Sequence, residues 1–273
     1  MIMAIAFACL PTAVKAEEPV QEPQQAAPQQ VETETDATKQ TITYQWQKKK
    51  KHYICKGGDG SLCKGLMAIK NKTYDFDSHG RQQTGWQKIK GHYYYFKIAN
   101  KAKGSMVTSR TVNNIRLNKK GQAVINSYAK KKLRALIYAT KLVEKATVPT
   151  KSKSKQLKEC YQYFLKHYAY RGSPKFMHSK TWEIDYANMT FSQKHGTCYA
   201  LGAAFAFVGN AVGYPSQAIS SGGHGWCMID HKITDPSWQV SDRRHSYYQI
   251  NINLSGKDKR PNYKKGMRYV RKI

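Results

Sequence analysis

GWQKIKGHYYYF, residues 85–96, sets a tryptophan seven residues ahead of a run of aromatics, with a Lys-Gly pair between them. A short β-hairpin fits that pattern. The same layout recurs in QWQKKKKHYICKGGDG from Gln45, GLMAIKNKTYDFDSHG from Gly65 and SMVTSRTVNNIRLNKKG from Ser105. Trp46, Leu66, Trp86 and Met106 fall twenty residues apart, and Gly60, Gly80 and Gly121 close units. One hairpin of this size cannot bury its own apolar face. Stacked neighbours can, so residues 41–126 are expected to form an all-β, solenoid-like array of hairpins.

Grooves between such hairpins are lined by aromatic rings, whose faces suit sugars and quaternary ammonium groups. Trp46, Tyr74, Trp86, Tyr93, Tyr94 and Tyr95 are the candidate ligand-contacting residues. The alternative is that these rings serve only as hairpin core. GWQKIKGHYYYF with its later glycine resembles the cell-wall-binding repeats of secreted Gram-positive proteins, the choline- and glucan-binding type, over roughly 45–125. That resemblance implies non-catalytic docking to choline-bearing or carbohydrate wall polymers.

Upstream, residues 1–16 form a short apolar run ending Val14-Lys15-Ala16 and read as a secretory signal. The run is short and broken at Pro11, so a membrane span is not expected. Residues 17–40 hold six acids against Lys39, rich in Gln, Pro, Ala and Thr, and read as a disordered linker. The rest is basic, net +15 over 41–126 and +18 over 127–273 within a chain total of +29. Such a field favours polyanions such as teichoic acid or other acidic wall polymers, or reflects only solubility. Export and the lack of a recognition motif argue against nucleic acid.

From residue 127 the short strands give way to helical patterns. SYAKKKLRALIYATKLVEKA ends before Pro149, and SKSKQLKECYQYFLKHYAYR carries one apolar stripe behind a serine-rich start. Residues 170–195 read as irregular. CYALGAAFAFVGNAVG reads as a buried helix, followed by strand-like SQAIS, HGWCMID, KITD and YYQINI.

Export leaves Cys55, Cys63, Cys160, Cys198 and Cys227, an odd number in a setting that permits disulfides. Cys55 and Cys63 sit eight apart in one hairpin, where a local disulfide is plausible. Cys227 is expected to face the core or to pair with Cys160. Cys198 falls at a helix N-terminus, where unpaired N–H groups favour a thiolate and can hold an oxyanion. Position alone fits a structural thiol as well, since cysteine is among the most buried residue types. GGHGWCMIDHKITDPSW, residues 222–238, adds partners. If Asp230-His231 form the turn, Trp226 faces Asp235, and His224 lies diagonally from Asp235 within side-chain reach. A zinc site from Cys198, His224 and Cys227 lacks the usual short spacing. His195 reads as a loop residue, His231 as a solvated turn and Asp242 as another. Trp226 and Trp238 read as core and cleft wall, and Gln193 is a candidate oxyanion donor.

A helix-capping Cys followed by His and Asp on adjacent strands resembles the transglutaminase-like thiol enzymes over about 127–250. Gly196-Thr197-Cys198, His224-Gly225-Trp226 and Asp235-Pro236 stand where that family has its G-x-C, H-x-W and D-P segments. The resemblance implies an α+β, papain-like domain at 127–273. In it Cys198 is the nucleophile, His224 the base and then acid, and Asp235 the orienting carboxylate. No cofactor or metal is called for. Peptide or amide bonds would be the substrate, with water or an amine resolving a thioester. The alternatives are a non-catalytic wall-binding or adhesion protein with a degenerate domain of this type, and, less naturally, a wall peptidase of the NlpC/P60 type.

Overall fold

The computed structural model describes residues 31–36, 39–49, 52–98, 104–173, 175–177, 179–242, 244–257 and 260–273. The signal segment expected at 1–16 lies outside them. Of the expected linker, Val31–Asp36 forms a strand, β1, paired antiparallel with β2 (Lys39–Lys49).

Four hairpins follow the twenty-residue period. β2 pairs with β3 (His52–Gly57), β4 (Gly65–Ile69) with β5 (Lys72–Phe76), β6 (Gly85–Ile89) with β7 (His92–Phe96), and β8 (Thr111–Val112) with β9 (Ile115–Arg116). Lys90 and Gly91, and then Asn113 and Asn114, adopt the positive φ that two-residue turns require. The hairpins are laced by single backbone bonds into strands of the preceding unit, such as Gln82 N–H to Tyr53 C=O (2.9 Å) and Ala123 N–H to Tyr93 C=O (2.8 Å). Each unit thus gains its core from a neighbour.

The C-terminal half is α+β. Asn126 caps α1 (Ser127–Ala146) and Ser152 caps α2 (Lys153–His167), each side chain accepting a first-turn N–H. After β10 (Ala169–Tyr170) comes α3 (Trp182–Gln193), in the stretch expected to be irregular. Its start at Thr181 has no side-chain cap, and its aromatics and acids follow no clean stripe. β11 (His195–Gly196) pairs in parallel with β10 and leads into α4 (Cys198–Val212). Nearly every α4 residue is buried, as a helix apolar all round must be. Gly213 closes it with φ 97°.

α4 lies on a four-stranded antiparallel sheet in the order β14 (Lys232–Thr234), β13 (Gly225–Ile229), β12 (Ser216–Ser220), β15 (Tyr269–Lys272). The fourth strand is therefore the chain's last segment, not YYQINI. Gln249 has φ 52°, which breaks an extended run, and only Ile250 bridges to Ile233. α5 (Pro236–Ser241) follows β14.

Repeats and helices share one core. Trp86, Val107, Ile115 and Leu117 are buried in the cluster that holds the apolar faces of α1 to α4. Trp86 Nε1–H donates to Asn113 Oδ1 (2.9 Å), whose amide donates to Asn210 Oδ1 (3.0 Å) on α4.

Candidate active site

Two glycines decide how closely α4 approaches β13. A Cβ on Gly202 would meet Trp226 backbone atoms at 2.7–2.9 Å, and one on Gly225 would meet Tyr199 Cα at 2.5 Å. The helix and strand backbones therefore touch directly, one turn past Cys198 and one residue past His224. This contact brings the thiol and the imidazole together, close enough that Cys198 contributes to raising His224.

The turn places Asp235 as its register predicts. Asp230 and His231 both have positive φ, and Cys227 pairs with Thr234, Met228 with Ile233 and Ile229 with Lys232. Continuing that register sets Trp226 opposite Asp235. His224 Nε2 lies 2.6 Å from Asp235 Oδ2, which leaves Nδ1 for the thiol.

Asp235 is fully buried, and each carboxylate oxygen is doubly engaged. Oδ1 accepts from Ser237 Oγ–H (2.8 Å) and Trp238 N–H (3.1 Å), so it caps α5 with Pro236 at the first helical position. Oδ2 receives His224 and the Tyr263 hydroxyl (3.0 Å). Burial and the adjacent Asp235 push the Tyr263 phenol well up, so it remains a donor. Burial works against a charged His224, but the Asp235 charge and hydrogen bond, with the Cys198 thiol, raise it to about 10. The ring is an imidazolium at neutral pH.

Two tryptophans wall the cleft. Trp226 stacks on the imidazole (5.7 Å between centroids, 23°), and Trp238 meets it edge-on (6.4 Å, 88°). Cys198 is 4% exposed, whereas the His224 side chain keeps 21%. The thiol is thus reached from the imidazole side.

The other sequence candidates fall elsewhere. Cys160 and Cys227 are both free and buried, and Cys227 Sγ–H donates to Thr234 C=O (3.2 Å), so the pairing with Cys160 is absent. No disulfide joins Cys55 to Cys63 either; both are buried, and burial pushes the Cys63 thiol up. Among the described residues no three His, Cys, Asp or Glu side chains are grouped for a metal. His195 lies in β11 and His231 in the exposed turn. Gln193 ends α3 on the surface. Asp242 is not a solvated turn: it is buried, and His245, the Arg244 N–H and the Tyr247 hydroxyl hold its carboxyl below the usual range. Sequence reasoning missed Tyr263 and Ser237; Ser237 was signalled only by its place two residues past Asp235.

The aromatic repeat residues divide. Trp86 is 2% exposed in the shared core and Tyr94 is buried, so these two line no open groove, while Tyr95 is half-buried with Trp86 packed on it (5.3 Å). Tyr93 is half-buried under Lys88. Trp46 remains half-buried at 5.0 Å from Tyr74 and 5.5 Å from Phe76, with Met67 against the same cluster.

Residues 63–110 match the choline-binding repeat. No curated protein matches the chain. Among solved structures, the choline binding domain of Spr1274 from Streptococcus pneumoniae is 21% identical, over 29% of this chain and 93% of that one, with a TM-score of 0.27. Choline binding protein F from Streptococcus pneumoniae, with a peptidoglycan analogue, is 22% identical over 29% of this chain and 26% of its own (TM-score 0.27). The pneumococcal cell wall endolysin from phage Cp-1, complexed with choline, is 23% identical over 34% and 28% (TM-score 0.28). The chain thus spans about a quarter of the length of the latter two. Among the described residues no helix is long and apolar enough to cross a membrane.

Proposed function

We propose, for a chain whose N-terminal region carries choline-binding repeats, that it is a thiol acyl enzyme of the cell envelope, docked on the wall by those repeats. The observation that carries the catalytic half is the chain of contacts from Asp235 through His224, at 2.6 Å, to a thiol at the head of a buried helix. An Asp that fixes the imidazole, and an imidazole that faces a nucleophile, are the parts acyl transfer needs. A papain-like, transglutaminase-like reading of residues 127–273 is consistent with the antiparallel sheet under α4.

In this reading Cys198, its proton already held by the His224 imidazolium, attacks an amide carbonyl as a thiolate. The new S–C bond forms as the C=O π pair moves to oxygen. Collapse of that oxyanion expels the amine, which takes its proton from the His224 imidazolium and leaves a thioester. Water or a second amine then attacks the thioester, His224 takes its proton, and breaking of the C–S bond returns the Cys198 thiolate beside the imidazolium. Asp235 supports the positive ring in both halves. The acyl donor is a peptide or amide of the wall or of a wall-bound protein. Release and transfer differ only in who attacks last.

In the repeats, the corner of Trp46, Tyr74 and Phe76 is the site proposed for a quaternary ammonium group, since its rings converge on a partly open tryptophan face.

The test is incubation of purified protein with wall peptide fragments and a labelled primary amine. Wild type is expected to cleave amides, to incorporate the amine, or both, and Cys198→Ala to do neither. Equal turnover by Cys198→Ala would sink the enzymatic reading.

A further inference from the structure

Three tyrosine phenols lie within electrostatic reach of the Cys198 sulfur: Tyr170, Tyr186 and Tyr199. Two are committed within the protein. Tyr199 donates to Gly222 C=O (2.9 Å), holding the loop before His224. Tyr186 donates to Lys175 C=O (3.1 Å) and accepts Met177 N–H (3.0 Å). Among the described residues nothing hydrogen-bonds the Tyr170 hydroxyl, and the residue is 39% exposed.

Its backbone is pinned beside the thiol. Tyr170 pairs with Gly196 in the β10–β11 ladder, and Arg171 N–H donates to Gly196 C=O (3.0 Å). A Cβ on Gly172 would lie 3.5 Å from the Thr197 methyl, so the chain from 170 to 172 runs alongside the entry to α4. The first N–H groups of α4 have no partner within the helix, and the cap residue Thr197 offers them no side-chain bond. Those donors form one side of a cradle for a carbonyl oxygen. The hydroxyl of the partly exposed Tyr170 is the donor that can complete it. Gln193, on the surface at the end of α3, is the less suited donor.

Resting on the thiol-enzyme reading, we infer that Tyr170 is a catalytic residue whose hydroxyl donates a hydrogen bond to the oxyanion formed when Cys198 attacks a carbonyl. Tyr170 keeps its proton throughout; His224 remains the group that gives and takes protons. Burial, with the nearby thiol, raises the phenol, so it is a neutral donor across the working range.

Two probes of Cys198 separate this role from a packing role. Alkylation by iodoacetamide displaces iodide and builds no oxyanion. Acylation by p-nitrophenyl acetate passes through one. Tyr170→Phe is expected to leave the alkylation rate within twofold of wild type while acylation falls about 100- to 1000-fold, the range for loss of one oxyanion donor. Acylation of Tyr170→Phe at the wild-type rate would overturn the assignment, and so would an equal fall in both rates. If wild type itself is acylated no faster than Cys198→Ala, the thiol-enzyme reading fails and takes this inference with it.

Discussion

Gly202→Ala perturbs the site without touching any reacting group. The added Cβ would sit 2.7 Å from Trp226 Cα, with the Trp226 N and C at 2.9 and 2.8 Å. All three are backbone atoms and cannot rotate away. Ordinary contact begins near 3.4 Å, so α4 must lift from β13 by about 0.7 Å. Overpacking of this kind costs about 1–3 kcal/mol, and the better helix propensity of alanine returns up to about 1 kcal/mol. A net loss of about 1–2 kcal/mol corresponds to a Tm drop of about 2–8 °C in a domain of this size. The lift also lengthens the path from Cys198 to His224, and displacements near 1 Å cost up to about a hundredfold in positioned chemistry. Iodoacetamide labelling of Cys198 is therefore expected to slow by about tenfold. Gly223→Ala is the control, because a Cβ there meets nothing within 4 Å. If Gly202→Ala melts and labels like wild type, the close backbone contact does not set the site.

Three further outcomes follow from the same geometry. NMR titration of the His224 ring should show a midpoint near 10, so the stability it contributes is present below pH 6.5 and is lost as pH rises from 6.5 through 10; a midpoint near 6.5 would contradict the Asp235 pairing. Asp75 is buried and raised to about 6, chiefly by desolvation, so its charge costs stability as pH climbs from about 4 through 6. Asp75→Asn should then raise the unfolding free energy at pH 7 by about 1–3 kcal/mol and leave it unchanged at pH 4, a pattern that parallel denaturation curves will check. Trp86→Ala should cost about 3–5 kcal/mol by chemical denaturation, whereas Trp46→Ala should abolish retention on immobilised choline with a smaller loss of stability; the reverse pattern would mean the two tryptophans have exchanged roles.

The repeat was legible because its period is written in Trp46, Leu66, Trp86 and Met106 and needs no long-range contact to be seen. Which unit would dock on the helices was not legible. Trp46 and Trp86 occupy equivalent positions, yet only Trp86 meets α1 and α4, a distinction made by the partner surface. The His224–Asp235 contact was readable because a two-residue turn fixes the strand register by counting. Tyr263 was not, since it reaches Asp235 from 28 residues downstream, on a segment with no local pattern pointing back. α3 escaped notice for a local reason: without a capping side chain or an apolar stripe, WEIDYANMTFSQ is helical because α1 and α4 pack against it. The glycines at 202 and 225 look like weak points in a helix and a strand, and only their apposition reveals that the empty Cβ positions are what lets the two backbones meet.

The most direct test of the thiol reading is the rate at which Cys198 reacts with iodoacetamide at pH 7, mapped by mass spectrometry against the other four described cysteines. Although it is only 4% exposed, Cys198 should label first, at least about tenfold faster than an unfolded-chain thiol, and His224→Ala should remove that advantage. Labelling no faster than an unfolded thiol, or unchanged in His224→Ala, would contradict the account.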